Sequence, residues 1–306
     1  MANIEQKVEN LLKPKIEEIG YELYDVEYVK EGKERLYKAN QGEQAALLLM
    51  NELCENRGIN LYISMEEEAD EVIATDYLEG IHQMELGKPL SYVLGYECFY
   101  GYNFKVNEDV LIPRPETEEL VGLVLSMFDD KFSDREHVSV FDVATGSGAI
   151  GITLNLEERK MDVIASDISM EALKVAKENN DALHANVSFI CGSMLDPFVD
   201  RDLHCDILVC NPPYIPSEEK MEHSVVDYEP HVALFGGNDG LYFYRKIFSK
   251  VQSVIKDRAL LAFEMGFDQR ELMCQAVEHY FPNIPYEIIK DINGKDRMLF
   301  IYYHLN

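Results

Sequence analysis

The sequence predicts an α/β fold, a mostly parallel sheet with helices on both faces, preceded by a small helical domain. Three observations carry that expectation. Apolar strands alternate with helical stretches from about residue 138 onward, a glycine-rich turn follows the first of those strands, and residues 40–87 hold two helix signals. At 306 residues, 47% hydrophobic and 27% charged, the chain suits an ordinary domain plus a smaller companion.

Residues 1–34 read as an N-terminal extension of separate character. Val8, Leu11, Leu12 and Ile16 make a helical stripe, and YELYDVEYVKEG (21–32) alternates as a short strand would. Residues 35–88 form the expected helical domain: Asn40 with Glu43, and Ser64 with Glu67, each resemble a capping box, and NRGIN between them is a turn signal. Residues 89–112 are rich in tyrosine, phenylalanine and valine around Gly95 and Gly101, which predicts strands or a linking β-hairpin. From 113 to 306 the alternation runs through strand 138–144, a helix from about Gly148, strand 162–167, helix 170–180 and strands 187–192 and 206–211. A helix near 240–255, strand 259–266, a helix near 268–280 and strands 286–291 and 298–303 complete it. In such sheets ligands sit outside the carboxyl ends of the strands.

Composition narrows the partners. Acidic residues number 56 against 28 basic, a net charge of −28, so the chain repels polyanions and no direct nucleic-acid partner is expected. No apolar run reaches the ~20 residues of a membrane span, and MANIEQKVEN lacks signal-peptide order, so a cytoplasmic protein is expected. Six cysteines without a CxxC pair predict free buried thiols and neither a metal site nor a disulfide framework.

Two loops carry chemistry. DVATGSGAIG (142–151) turns tightly at Gly146 and Gly148 and brings backbone close to a ligand, while Asp167, at the end of the next strand, can accept both hydroxyl hydrogens of a ribose. Helix capping is the structural alternative for Asp167, and Ser169 could serve that role as well. Without a GxxxxGK[ST] lysine or a full GxGxxG run, the loop suits an adenosine cofactor lacking a pyrophosphate. The second loop, Asn211-Pro212-Pro213-Tyr214, follows an apolar strand. Prolines contribute no N–H, so the Asn211 side-chain oxygen and the Pro212 carbonyl can take both hydrogens of a planar NH₂ group, and Tyr214 could shape a slot for a cationic methyl donor. A rigid strand-ending turn is the bland alternative for this tetrapeptide.

From about Asn40 onward the chain resembles the HemK-type release factor glutamine methyltransferases. The resemblance rests on KPLSYVLGYECFYG (88–101), VLIPRPETEEL (110–120), FDVATGSGAI (141–150), SDIS (166–169), NPPYIP (211–216), YEPHVALFGGNDGL (228–241), EMG (264–266) and DINGKDRM (291–298). It implies a class I S-adenosylmethionine-dependent methyltransferase, Rossmann-like with an antiparallel C-terminal strand, behind a helical substrate-recognition domain. It also implies a release factor as partner, whose GGQ glutamine is methylated at the side-chain amide nitrogen by a monomeric enzyme. By position, S-adenosylmethionine would meet Ala144, Thr145, Gly146, Ser147, Gly148, Asp167, Met194 and Asn211. The glutamine would meet Asn211, Pro212, Pro213 and Tyr214, with Asn211, Pro212 and Tyr214 catalytic. Residues 1–34 resemble the opening of a ribosome maturation factor.

Two positions depart from the family pattern. Ala144 replaces a customary glycine, and Gly192-Ser193-Met194 stands where an acidic residue followed by an aromatic is common, so weaker cofactor binding is expected. The competing readings are a nucleic-acid amino-methyltransferase acting on adenine N6 or guanine N2, and a non-catalytic scaffold that kept the fold.

Overall fold

The computed structural model describes residues 26–61, 71–219 and 227–305, which fall into two compact units. The first comprises residues up to Gly95 together with a short segment ending at Tyr228, and the second the remainder.

In the first unit, helices α1 (Val26–Lys38), α2 (Gln44–Glu55), α3 (Glu71–Glu85) and the short α4 (Leu90–Leu94) enclose one apolar cluster. The strand expected over 21–32 is corrected here: from Val26 onward this segment is helix. Tyr28, Gly32 and Leu36 recur at helical spacing, Tyr28 and Leu36 are buried, and Gly32 lies so close to Tyr77 that an added Cβ would stand 2.1 Å from its hydroxyl oxygen. That one-sided packing outweighs the local alternation. The expected boundary at 34/35 falls inside α1, and the stripe at Val8–Ile16 lies outside the described residues. Asn40 does not cap α2, whose N-cap is Glu43 with no side-chain bond. Instead it takes a left-handed φ of 58° and closes α1, with Gln41 N donating to Leu36 O at 2.8 Å. The box expected at Ser64 lies outside the described residues.

The second unit opens with a hairpin, β1 (Tyr96–Phe99) and β2 (Tyr102–Lys105), whose two-residue turn holds Tyr100 at φ 53° and Gly101 at φ 81°. A helix, α5 (Pro115–Lys131), then precedes the first expected strand. Its signals are Pro115 in the first turn, Glu116 and Glu118 beside it, Lys131 in the last turn, and Leu120, Val121, Val124 and Phe128 on one buried face. The seven-stranded sheet is ordered β5-β4-β3-β6-β7-β9-β8, formed by β3 (Val138–Val143), β4 (Met161–Asp167), β5 (Ser188–Cys191), β6 (Cys205–Cys210), β7 (Ile255–Glu264), β8 (Tyr286–Lys290) and β9 (Asp296–Tyr303). The first five of these strands run parallel, and β9 is antiparallel to both β7 and β8, as expected for the closing strands.

The sheet is buried on both faces because successive side chains alternate between two cores. Phe141, Leu208, Leu261 and Leu299 pack with Tyr244 and Phe248 of α9 (Tyr242–Phe248) and Met273 of α10 (Arg270–Tyr280). Val140, Ile207, Leu260 and Phe300 pack with α5 and with Ile150 and Ile152 of α6 (Ala149–Glu157). Between them, α7 (Met170–Ala182) follows β4 and the single turn α8 (Asp196–Val199) follows β5. Chain order reverses between β3 and β6, which places their carboxyl ends, at Ala144 and Asn211, beside one crevice.

All six cysteines are free, but Cys98 and Cys191 are exposed rather than buried. Among the described residues no helix is long and apolar enough to cross a membrane, and no group of three or more metal-ligating side chains is clustered.

Candidate active site

The loop after β3 is ordered by backbone donors bonding to two carboxylates. Asp142 is fully buried; its Oδ2 accepts from Gly151 N at 2.9 Å and Thr145 Oγ1 at 2.5 Å, while Oδ1 has no partner. Burial pushes this carboxyl up to about 6, against those two bonds and with a smaller upward push from the charge of Asp167. Only glycine suits position 151, since a Cβ there would stand 2.8 Å from Asp142 Oδ2. Asp167 ends β4 and accepts from Gly146 N on Oδ2 and Ser169 N on Oδ1, both at 2.9 Å. Burial raises its carboxyl too, opposed by the donors of Ser169, Gly146 and Ile168. The cap of α7 is Ser169, whose Oγ accepts from Ala172 N at 3.1 Å, so Asp167 is not needed for capping.

Both departures have local consequences. Ala144 takes φ 60°, where a methyl group costs roughly 1 kcal/mol that glycine avoids. Gly192 N donates to Asp167 O at 2.9 Å, Ser193 Oγ accepts from Lys246 Nζ at 2.7 Å, and Met194 is buried with φ 52°.

The acceptor loop has few donors of its own and is held by side chains from distant segments. Asn211 Nδ2 donates to Thr117 Oγ1 at 3.3 Å, and Thr117 Oγ1 donates to Glu264 Oε2 at 2.6 Å. Tyr214 donates its hydroxyl to Glu264 Oε1 at 3.1 Å, and its carbonyl accepts from Gln269 Nε2 at 2.7 Å. Burial raises the Glu264 carboxyl and the Tyr214 hydroxyl; at Glu264 the bond from Thr117, the charge of Arg297 and the bond from Tyr214 oppose it.

One cleft joins the two loops. Ala144, Thr145, Gly146, Ser147, Asp167, Met194, Asn211 and Pro213 line it. Gly148, Pro212 and Tyr214 are not on its wall: Gly148 begins α6 at φ 86° against Ile152, Pro212 is buried, and Tyr214 is turned toward Glu264. Sequence reasoning did not single out Asp142, Thr117 and Glu264, nor the pair Arg114–Glu229, whose Nη2–Oε1 distance is 2.5 Å beside the cleft. The missed signal was a carboxylate on a buried strand, Asp142 in β3 and Glu264 at the end of β7, where only a built-in partner makes burial tolerable.

The cleft fits a nucleoside cofactor. A Cβ on Gly146 would meet nothing within 4 Å, so the loop is open where a ligand would approach. Each Asp167 oxygen accepts a backbone donor, Gly146 N on Oδ2 and Ser169 N on Oδ1, and a carboxylate has further lone pairs to offer ribose hydroxyls. Ile150, Ala172 and Met194 offer an apolar wall for a base, and Arg114, a cation among the described lining residues, is already paired with Glu229.

Residues 122–228 match the methyltransferase small domain. The chain is 42% identical to the release factor glutamine methyltransferase of Bacillus cereus, over 87% of this chain and 94% of the relative. It is 41% identical to the enzyme of that name from Bacillus subtilis, over 89% and 95%. Among solved structures, the catalytic domain of hMettl16 in complex with MAT2A 3'UTR hairpin 1 superposes with a TM-score of 0.53 at 14% identity, covering 78% of this chain and 83% of that one, a likeness of fold alone.

Proposed function

The chain belongs to the release factor glutamine methyltransferase family, and from that premise we propose which of its residues hold the cofactor and the acceptor. It is an S-adenosylmethionine-dependent enzyme that methylates a glutamine of release factors. The acceptor in this reading is the side-chain amide nitrogen of the GGQ glutamine, and the enzyme acts as a monomer without direct nucleic-acid contact.

Ala144 through Ser147 and Met194 shape the cofactor site, and Asp167 takes the ribose hydroxyls. When bound, the cofactor supplies an electrophilic methyl group on a sulfonium. An amide nitrogen is a weak nucleophile because its lone pair is delocalised. Asn211 Oδ1 takes one of its two hydrogens, holds the nitrogen in line and favours its pyramidal geometry. Pro213 forms part of the wall at this point, while Pro212 and Tyr214 hold the loop's shape from behind.

The observation that carries this reading is the polarity of Asn211. Its amino end is committed to Thr117, so its oxygen is the end left for an NH₂ acceptor. The net charge of −28 weighs against the nucleic-acid alternative. Incubation with labelled S-adenosylmethionine and either a release factor or duplex DNA, followed by peptide mapping, tests it. Label is expected on the GGQ glutamine; label on adenine or guanine would replace this reading with the nucleic-acid one.

A further inference from the structure

Asn, unlike a carboxylate, has two chemically opposite ends of nearly the same shape, so an asparagine that must accept needs something to stop it turning round. Here three segments remote in sequence meet at that side chain. Glu264 lies at the end of β7, one strand over from Asn211, and Thr117 sits in the first turn of α5. Thr117 and Glu264 are 4% and 2% exposed, so water does not compete for their bonds.

We infer that Glu264, acting through Thr117, fixes which end of the Asn211 amide faces the acceptor. The inference rests on the acceptor-loop reading above and adds two positioning residues to it. Each Glu264 oxygen stands within bonding distance of a hydroxyl, Thr117 Oγ1 at 2.6 Å and the Tyr214 hydroxyl at 3.1 Å, and as a carboxylate it accepts from both. Thr117 therefore spends its single hydrogen on Glu264 and has only lone pairs to offer Asn211. Only Nδ2 can donate to a lone pair, and Oδ1 is turned the other way. With the amide reversed, two NH₂ groups would confront each other and Thr117 would face an oxygen with no hydrogen to give. The same carboxylate also anchors Tyr214, so the two ends of the tetrapeptide share one fixed point.

A mutant cycle in release-factor methylation tests this. Thr117→Val keeps the shape and removes the acceptor; kcat should fall roughly 10²-fold while cofactor Kd and release-factor KM stay within about two-fold. Thr117→Ser should restore the rate to within a few-fold. If Thr117 acts only through Asn211, the double variant Thr117→Val/Asn211→Ala should be as slow as Asn211→Ala and no slower. Should Thr117→Val fail to fold by near-UV circular dichroism, Thr117→Ala takes its place in the same cycle, since it also removes the acceptor and leaves the bond between Tyr214 and Glu264 in place. A variant of wild-type rate, or a loss that multiplies on top of Asn211→Ala, overturns the relay. A wild-type rate for Asn211→Ala itself would instead overturn the acceptor-loop reading, so the two failures are distinct.

Discussion

The two loops that meet in the cleft are built on opposite principles. The loop after β3 is rich in backbone N–H groups and folds by giving them to carboxylates on its own strand and the next one, Gly151 to Asp142 and Gly146 to Asp167. The loop after β6 holds two consecutive prolines, has few such donors, and is held by side chains from residues 117, 264 and 269. A loop that carries its own donors can be ordered locally. One made of acceptors must borrow its order from the tertiary structure, and in exchange the Asn211 side-chain oxygen stays available to a substrate.

The sharpest way to break that comparison is at Asn211. Removing its oxygen by Asn211→Ala should lower kcat roughly 10²–10³-fold with little change in cofactor affinity, by analogy with loss of one oriented oxyanion donor. Single-turnover rates on a release factor measure it, and a near wild-type rate would reduce the tetrapeptide to a rigid turn. Asn211→Asp should also be slow while still binding cofactor, because it places a negative charge beside the sulfonium and steadies the cationic ground state.

The complementary experiment is at Asp167. Asp167→Ala removes both a charge-assisted ribose contact and the partner of Gly146 N, and should weaken S-adenosylmethionine binding by about 1.5–3 kcal/mol. Calorimetry showing unchanged affinity would remove the ribose role.

Asp142 offers a pH test of the same loop. Its folded carboxyl titrates at about 6, above the ordinary 3.8, so its contribution to stability is fully present below about 3.8 and is lost as pH rises through about 6. Asn imitates the protonated form, so the stability of the wild type relative to Asp142→Asn should fall by roughly 2 kcal/mol across that window and then level off. Denaturant titrations of both proteins from pH 4 to pH 7.5 would show it; a flat difference would mean the carboxyl is not raised.

The smallest effect is expected at Ala144. Glycine there relieves a left-handed methyl residue, so Ala144→Gly should stabilise the protein by about 1 kcal/mol and tighten cofactor binding a few-fold. A lower melting temperature together with unchanged affinity would show that the loop has adapted to the methyl group.

How much of this was legible in the sequence follows the same division. The strands around Val140, Ile164 and Val209 could be read because a strand buried on both faces must be a near-continuous apolar run. The glycine turn and Asp167 could be read because they stand at the ends of two successive strands, β3 and β4. The segment 26–32 misled: its alternation is real, but a helix was selected by Tyr28, Gly32 and Leu36 packing against residues such as Tyr77, some forty positions or more away. Asn40 misled similarly, since a residue suited to capping the next helix is equally suited to the left-handed turn that closes the previous one.

The sequence by itself therefore determined the sheet, the place of the crevice and the residue types at its two rims, because these depend on periodicity and on residues at the ends of successive strands. Only the tertiary structure decided that Thr117 and Glu264 stand behind Asn211 and set its polarity. A side-chain hydrogen bond between residues 94 positions apart, as between Thr117 and Asn211, leaves no periodic trace along the chain; it exists only once β6, β7 and α5 have packed.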